Sequence, residues 1–141
     1  MSRIFLDSNI FIYLIEDRGT LGKRATELLE RLSMRRDEVI TSALTLGEVL
    51  TKPMQENRID LAEQYEQALS SPGMEILAFD RGAARAYARI RTDKTIKAPD
   101  AIQLAVAAVS KCDLFVTNDH RLSKKVIPGI QFISALDNVP I

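Results

Sequence analysis

At 141 residues the chain lies in the usual single-domain range, and a compact domain of that length buries roughly 68–70% of the surface its unfolded chain exposes. A hydrophobic content of 46%, a charged content of 27% and only 6 Gly and 5 Pro exclude a disordered or low-complexity protein. Nineteen Lys plus Arg balance nineteen Asp plus Glu, which excludes a global basic field of the kind that by itself announces a nucleic-acid partner.

The chain opens on Met-Ser-Arg and the apolar run Ile4-Phe5-Leu6, broken at once by Asp7-Ser8-Asn9. This is too short and too polar for a signal peptide or a membrane span, so a soluble cytoplasmic protein is expected. Asp, Ser and Asn cap helices, which predicts a strand, a tight turn and a short helix through Ile10 to Ile15. Leu21, Ala25, Leu28, Leu29 and Leu32 recur at helical spacing and predict an amphipathic helix over 21–34. Val39-Ile40-Thr41 reads as a second strand, and the helical pattern from Ser42 to Leu50 continues until Pro53 disturbs it. A further helix is predicted from Asp60 to Leu69, stopped by Ser70-Ser71-Pro72-Gly73.

Met74 to Phe79 reads as a third strand, and Asp80 is placed to cap a helix from Arg81 to Arg91. Pro99-Asp100 opens an alanine-rich helix to Val109, since proline suits a first helical turn and an acid there suits the helix dipole. The lone Cys112 has no partner for a disulfide or a zinc site and reads as a small buried hydrophobe. Leu114-Phe115-Val116 gives a fourth strand ending in Thr117-Asn118-Asp119, and Gln131-Phe132-Ile133 a short fifth one. This alternation predicts one α/β domain over 1–141: a mostly parallel, roughly five-stranded sheet with helices on both faces.

In such sheets ligands bind beyond the carboxyl ends of the strands, where Asp7 and Asp119 are expected to stand. Asp100 and Glu48 lie on helices expected to start at the same rim. Four ionised acids converging on one cleft require raised pKa values or a compensating cation. Mg²⁺ or Mn²⁺ is the natural choice, a hard ion that prefers oxygen ligands and assists in-line phosphoryl displacement. Each acid also has a structural reading. Asp7 can cap a helix, Thr45 to Glu48 can form a capping box, Asp100 can complement a dipole and Asp119 can form a turn.

The segments Phe5-Leu6-Asp7-Ser8-Asn9, Ser42-Ala43-Leu44-Thr45-Leu46-Gly47-Glu48, Pro99-Asp100-Ala101-Ile102-Gln103-Leu104-Ala105 and Val116-Thr117-Asn118-Asp119 resemble, in order and spacing, the motifs of the PIN-domain family. The likeness covers nearly the whole chain and is greatest to the toxin ribonucleases of VapBC-type toxin–antitoxin pairs. It implies a three-layer α/β/α fold and a Mg²⁺- or Mn²⁺-dependent endoribonuclease, homodimeric and inhibited by a small antitoxin protein. Asp7, Glu48, Asp100 and Asp119 would be its catalytic metal ligands, with Thr117 where that family often has a hydroxyl residue near the metal, while Asn9 and Asn118 read either as hydrogen-bonding supports of those ligands or as turn formers.

Arg81, Arg85 and Arg89 recur on one predicted helix face, with Arg91, Lys94 and Lys97 continuing toward Asp100. They read either as contacts to RNA phosphates or as a solvated helix surface. Arg121, Lys124 and Lys125 form a smaller cluster, and His120 is assigned no role. Three other functions compete: a housekeeping RNA-processing nuclease, a catalytically silent module binding RNA or protein, and a phosphatase that also begins with an Asp after its first strand. The phosphatase wants a second Asp where Asn9 stands.

Overall fold

The computed structural model describes residues 1–141. Five short strands, β1 (Arg3–Leu6), β2 (Glu38–Ser42), β3 (Met74–Leu77), β4 (Leu114–Thr117) and β5 (Phe132–Ala135), form one sheet in the order β3-β2-β1-β4-β5, and every pairing is parallel. The central strands read as unbroken apolar runs because both of their faces are covered. Six helices supply that cover: α1 (Ser8–Glu16), α2 (Thr20–Arg35), α3 (Ala43–Gln55), α4 (Ile59–Leu69), α5 (Arg81–Ile90) and α6 (Ala98–Ser110).

Alternate residues of each strand feed two separate cores. Ile4, Leu6, Val39, Leu114 and Val116 pack with Phe11, Leu28, Leu32, Val49 and Tyr65 from α1 to α4. Phe5, Ile40 and Phe115 face the other way, against Ala83, Ala86 and Ile90 of α5 and Leu104 and Ala105 of α6. Phe5 stacks on Phe115 at 4.9 Å between ring centres, so β1 and β4 are joined by an aromatic pair as well as by their ladder. The expected α/β/α layering is present. Cys112 is buried as expected, and burial pushes its thiol up to about 12.

The element ends fall within a residue or two of the sequence reading, and three of the differences stand out. Helix α3 runs past Pro53 to Gln55, since a proline one turn from the end forfeits only the bond to Val49 and here its ring is buried. Strand β3 stops at Leu77 instead of Phe79, because its only partner, β2, turns into α3 immediately after the Ser42–Leu77 pair. Strand β5 lies later than expected, at 132–135, with Thr117 paired to Ala135.

The strand order places a topological switch between β1 and β4. From β1 the chain winds outward through β2 to β3, then returns to the other side of β1 as β4. The chain leaves β1 into α1 on one face of the sheet and leaves β4 toward Leu122 on the other, and it is beyond the carboxyl ends of two such strands that open α/β sheets bind ligands.

Candidate active site

Asp7 and Asp119 stand just beyond the ends of these two strands. Asp7 follows β1 directly, and its backbone N–H extends the β1–β4 ladder to the Val116 carbonyl at 3.0 Å. Its carboxylate caps α1 by accepting the Ser8 N–H at 2.8 Å and also accepts the Thr117 hydroxyl at 2.8 Å. Capping and site-forming thus coexist in one side chain. Asp7 is only 6% exposed. Burial pushes its pKa up to about 6, over the opposing effect of those two bonds and with added repulsion from Asp100 and Glu48.

Asp100 sits in the first turn of α6. Its pKa is raised by partial burial and then by the nearby Asp119 charge, against the pull of Arg121 and Lys97. Asp119 follows β4, and the Arg121 guanidinium grips its two carboxylate oxygens at 3.4 and 3.3 Å while the Arg121 N–H donates at 2.9 Å. Burial works to raise Asp119, but the Arg121 contacts outweigh it and hold the carboxyl below its ordinary value. The turn reading of Asp119 is realised together with its place at the rim.

Glu48 projects from α3 as an exposed side chain whose Oε1 accepts the Ser8 hydroxyl at 3.0 Å and the Gln103 amide at 3.3 Å. It takes no part in a capping box. The cap of α3 is Ser42, whose Oγ accepts the Thr45 N–H at 3.4 Å, leaving Glu48 a turn further on and free to face Asp7.

Supporting residues fall around this group. The Asn9 amide nitrogen lies 3.5 Å from the Thr117 hydroxyl, and its Oδ1 is buried with no hydrogen-bond partner. Thr117 also accepts the Asp119 N–H at 3.1 Å, so one buried threonine connects two of the acids. Asn118 turns away and donates to the Tyr13 hydroxyl at 2.9 Å. His120 is exposed.

The four acids are linked pairwise through their fields, Asp7 with Asp100 and Glu48, and Asp100 with Asp119. No three acidic, histidine or cysteine side chains form a closed cage about one point. The donor set still fits a hard divalent cation. It consists of carboxylates and one orphaned amide oxygen, without a thiol or imidazole, and Mg²⁺ ordinarily keeps several of its own waters where the protein supplies few ligands. Arg81, Arg85 and Arg89 are exposed on α5 and none of them pairs with an acid of the site. The cations that act on Asp100 are Arg121 and Lys97.

A polar group that the sequence reading passed over underlies the acids. Gln103, Thr41, Ser42 and Thr45 are all buried. Their signal was the three-residue spacing of Thr45 to Glu48 and of Asp100 to Gln103, which puts each polar residue on the same helix face as an acid.

A family model described as the PIN domain matches residues 4–127. The chain belongs to the PIN-domain family. No curated protein matches its sequence. Among solved structures, this PIN domain is similar to a chain of VapBC2 from Rickettsia felis, solved bound to a DNA fragment from its promoter: TM-score 0.76, 19% identity, covering 94% of this chain and 98% of that one. It is also similar to a chain of FitAcB from Neisseria gonorrhoeae, with TM-score 0.67, 27% identity and coverage of 82% and 87%. A third is VapC20 of Mycobacterium tuberculosis, described as a toxin that cleaves the sarcin–ricin loop, with TM-score 0.65, 17% identity and coverage of 87% and 96%. No helix is long and apolar enough to cross a membrane.

Proposed function

We propose that this PIN domain is a Mg²⁺- or Mn²⁺-dependent endoribonuclease, working in the cytoplasm as the toxin of a toxin–antitoxin pair. The observation that carries the reading is Asp7: a carboxylate buried at the switch point, beside two further acids, with its pKa pushed up to about 6. A fold keeps such a concentration of like charge at a cost, and a bound cation is what offsets it. Acids perturbed by burial and by one another's charge are candidates for a functional site.

Asp7, Asp100, Glu48 and Asp119 would hold the cation. When bound, it supplies charge neutralisation for the phosphate and a low-pKa water at the scissile bond. The residues of the chain do the rest. Thr117 orients Asp7, and the Asn9 Oδ1 offers an acceptor to a water or an ion. Arg121 and Lys97 provide positive charge beside Asp100, where a phosphodiester backbone would approach. The VapBC relative supports an antitoxin protein as partner, and we extend to this chain the small size of that partner and the homodimer that the family resemblance implies.

The competing reading is the silent binding module. A single experiment separates the two. A pool of single-stranded and structured RNA is incubated with Mg²⁺, Mn²⁺ or EDTA, using wild type, Asp7→Asn and Asp100→Asn. Metal-dependent cleavage that both substitutions abolish supports the nuclease. RNA binding without cleavage under either metal, or cleavage that both variants retain, sinks it.

A further inference from the structure

Gln103 stands on α6 one helical turn after Asp100 and is 2% exposed, yet its amide reaches across to three side chains around α3. Its Nε2 donates to Thr45 Oγ1 at 2.8 Å and to Glu48 Oε1 at 3.3 Å, and its Oε1 accepts the Ser42 hydroxyl. The amide is fully committed, with both N–H groups and its oxygen in use.

Counting protons fixes which way it faces. The Thr41 hydroxyl has one proton, and its contact with the Leu6 carbonyl at 2.8 Å can only use that proton as donor. The 2.8 Å contact between Thr41 and Thr45 must then be donated by Thr45, which leaves the Thr45 oxygen to accept from Gln103. Turning the amide over would set its oxygen against the Thr45 lone pairs and the Glu48 carboxylate together. The chain of bonds from the Leu6 carbonyl to Glu48 therefore has one proton arrangement, in which the Gln103 amide donates both ways and one of its N–H groups is aimed at a carboxylate on the rim.

On the nuclease reading above, we propose that Gln103 is the positioning residue for Glu48. Its amide, backed by Thr45, Thr41 and Ser42, holds a carboxylate that sits on an otherwise solvent-exposed helix face. Together with the Ser8 hydroxyl it keeps Glu48 beside Asp7, so that the two acids meet a divalent cation already oriented. Polar partners of metal-binding carboxylates typically contribute about 10–100-fold in metal affinity.

The test measures Mn²⁺ binding to the whole protein by calorimetry and, separately, RNA cleavage across a Mn²⁺ series. Gln103→Met keeps the volume and removes the amide; Thr45→Val keeps Gln103 and removes its anchor. The expected result is a Mn²⁺ Kd weakened ~10-fold in Gln103→Met and by less in Thr45→Val. Cleavage should return to the wild-type rate at high Mn²⁺, a rescue that general loss of structure would not allow. If wild type binds Mn²⁺ and cleaves RNA while either folded variant has the wild-type Kd, the positioning role is overturned and the nuclease reading stands. A wild type that neither binds Mn²⁺ nor cleaves overturns the nuclease reading, and the positioning role with it.

Discussion

The Thr117 hydroxyl donates to Asp7 Oδ2 at 2.8 Å, tying together the ends of the two central strands. A hydrogen bond to the charged form favours ionisation, so this contact lowers a pKa that burial raises. Thr117→Val should move the pKa of Asp7 above about 6, and the acid limb of the pH–rate profile with it to higher pH. Thr117→Ser should leave the limb in place. A Val variant with an unmoved acid limb would show that Asp7 is not the group whose ionisation activity requires.

Asp7 also makes the metal-free protein respond to pH in an unusual sense. Its folded-state value of about 6 exceeds the ordinary 3.8, so the neutral acid favours the native state. That contribution is complete below pH ~4 and is lost as pH rises through about 6, a difference on the order of 3 kcal/mol. Asp7→Asn, which retains the capping acceptor, should therefore melt at a higher temperature than wild type at pH 8 in EDTA. The gap should close toward pH 4, and Mn²⁺ should stabilise only the wild type. Equal melting temperatures at pH 8 would refute the burial argument.

The position of Arg121 between Asp119 and Asp100 leads to a different ranking of the basic residues than sequence spacing does. If Arg121 and Lys97 meet the RNA backbone, replacing each with Ala should reduce the slope of log K against log salt by ~0.7 per phosphate contact on single-stranded RNA. Arg85→Ala with Arg89→Ala, on the exposed face of α5, should change it less. Filter binding in a series of salt concentrations reads this directly, and the reverse ranking would put the RNA along α5.

Backbone geometry supports a stability prediction away from the site. Gly129 has φ +98°, and a Cβ there would lie 2.5 Å from the Ala108 carbonyl oxygen, whereas Gly73 at φ +84° opens onto empty space. Gly129→Ala should lose well over ~1 kcal/mol and Gly73→Ala only the ~1 kcal/mol of left-handed strain. Urea unfolding of the two variants tests the difference, which would be nil if the loop before β5 simply shifts.

The strands and helices were legible because each is an apolar run or a helical stripe bounded by capping residues, as with Ile4-Phe5-Leu6 before Asp7 or Asp80 before α5. Asp7, Asp100, Glu48 and Asp119 were legible as a set once strand order implied a common rim. Strand and helix ends were less so, since the length of β3 depends on where β2 turns away and not on its own residues. Gln103 and Thr45 were hidden for a related reason. A polar residue in a helix reads as solvent-facing, and only the packing of α6 against α3 reveals that both are buried.

Glu48 rides on α3 and Asp100 on α6, and these helices belong to the two cores on opposite faces of the sheet. The spacing between the acids therefore depends on how both cores seat their helices as well as on the direct α3–α6 contact through Gln103. Either core can exchange its side chains over generations so long as the thickness between them is kept, and a cavity opened in either one should register first as a change in metal affinity, before the fold itself gives way. The same dependence lets an event on one outer face, such as a partner seated against α1 and α2, alter the acids without touching them.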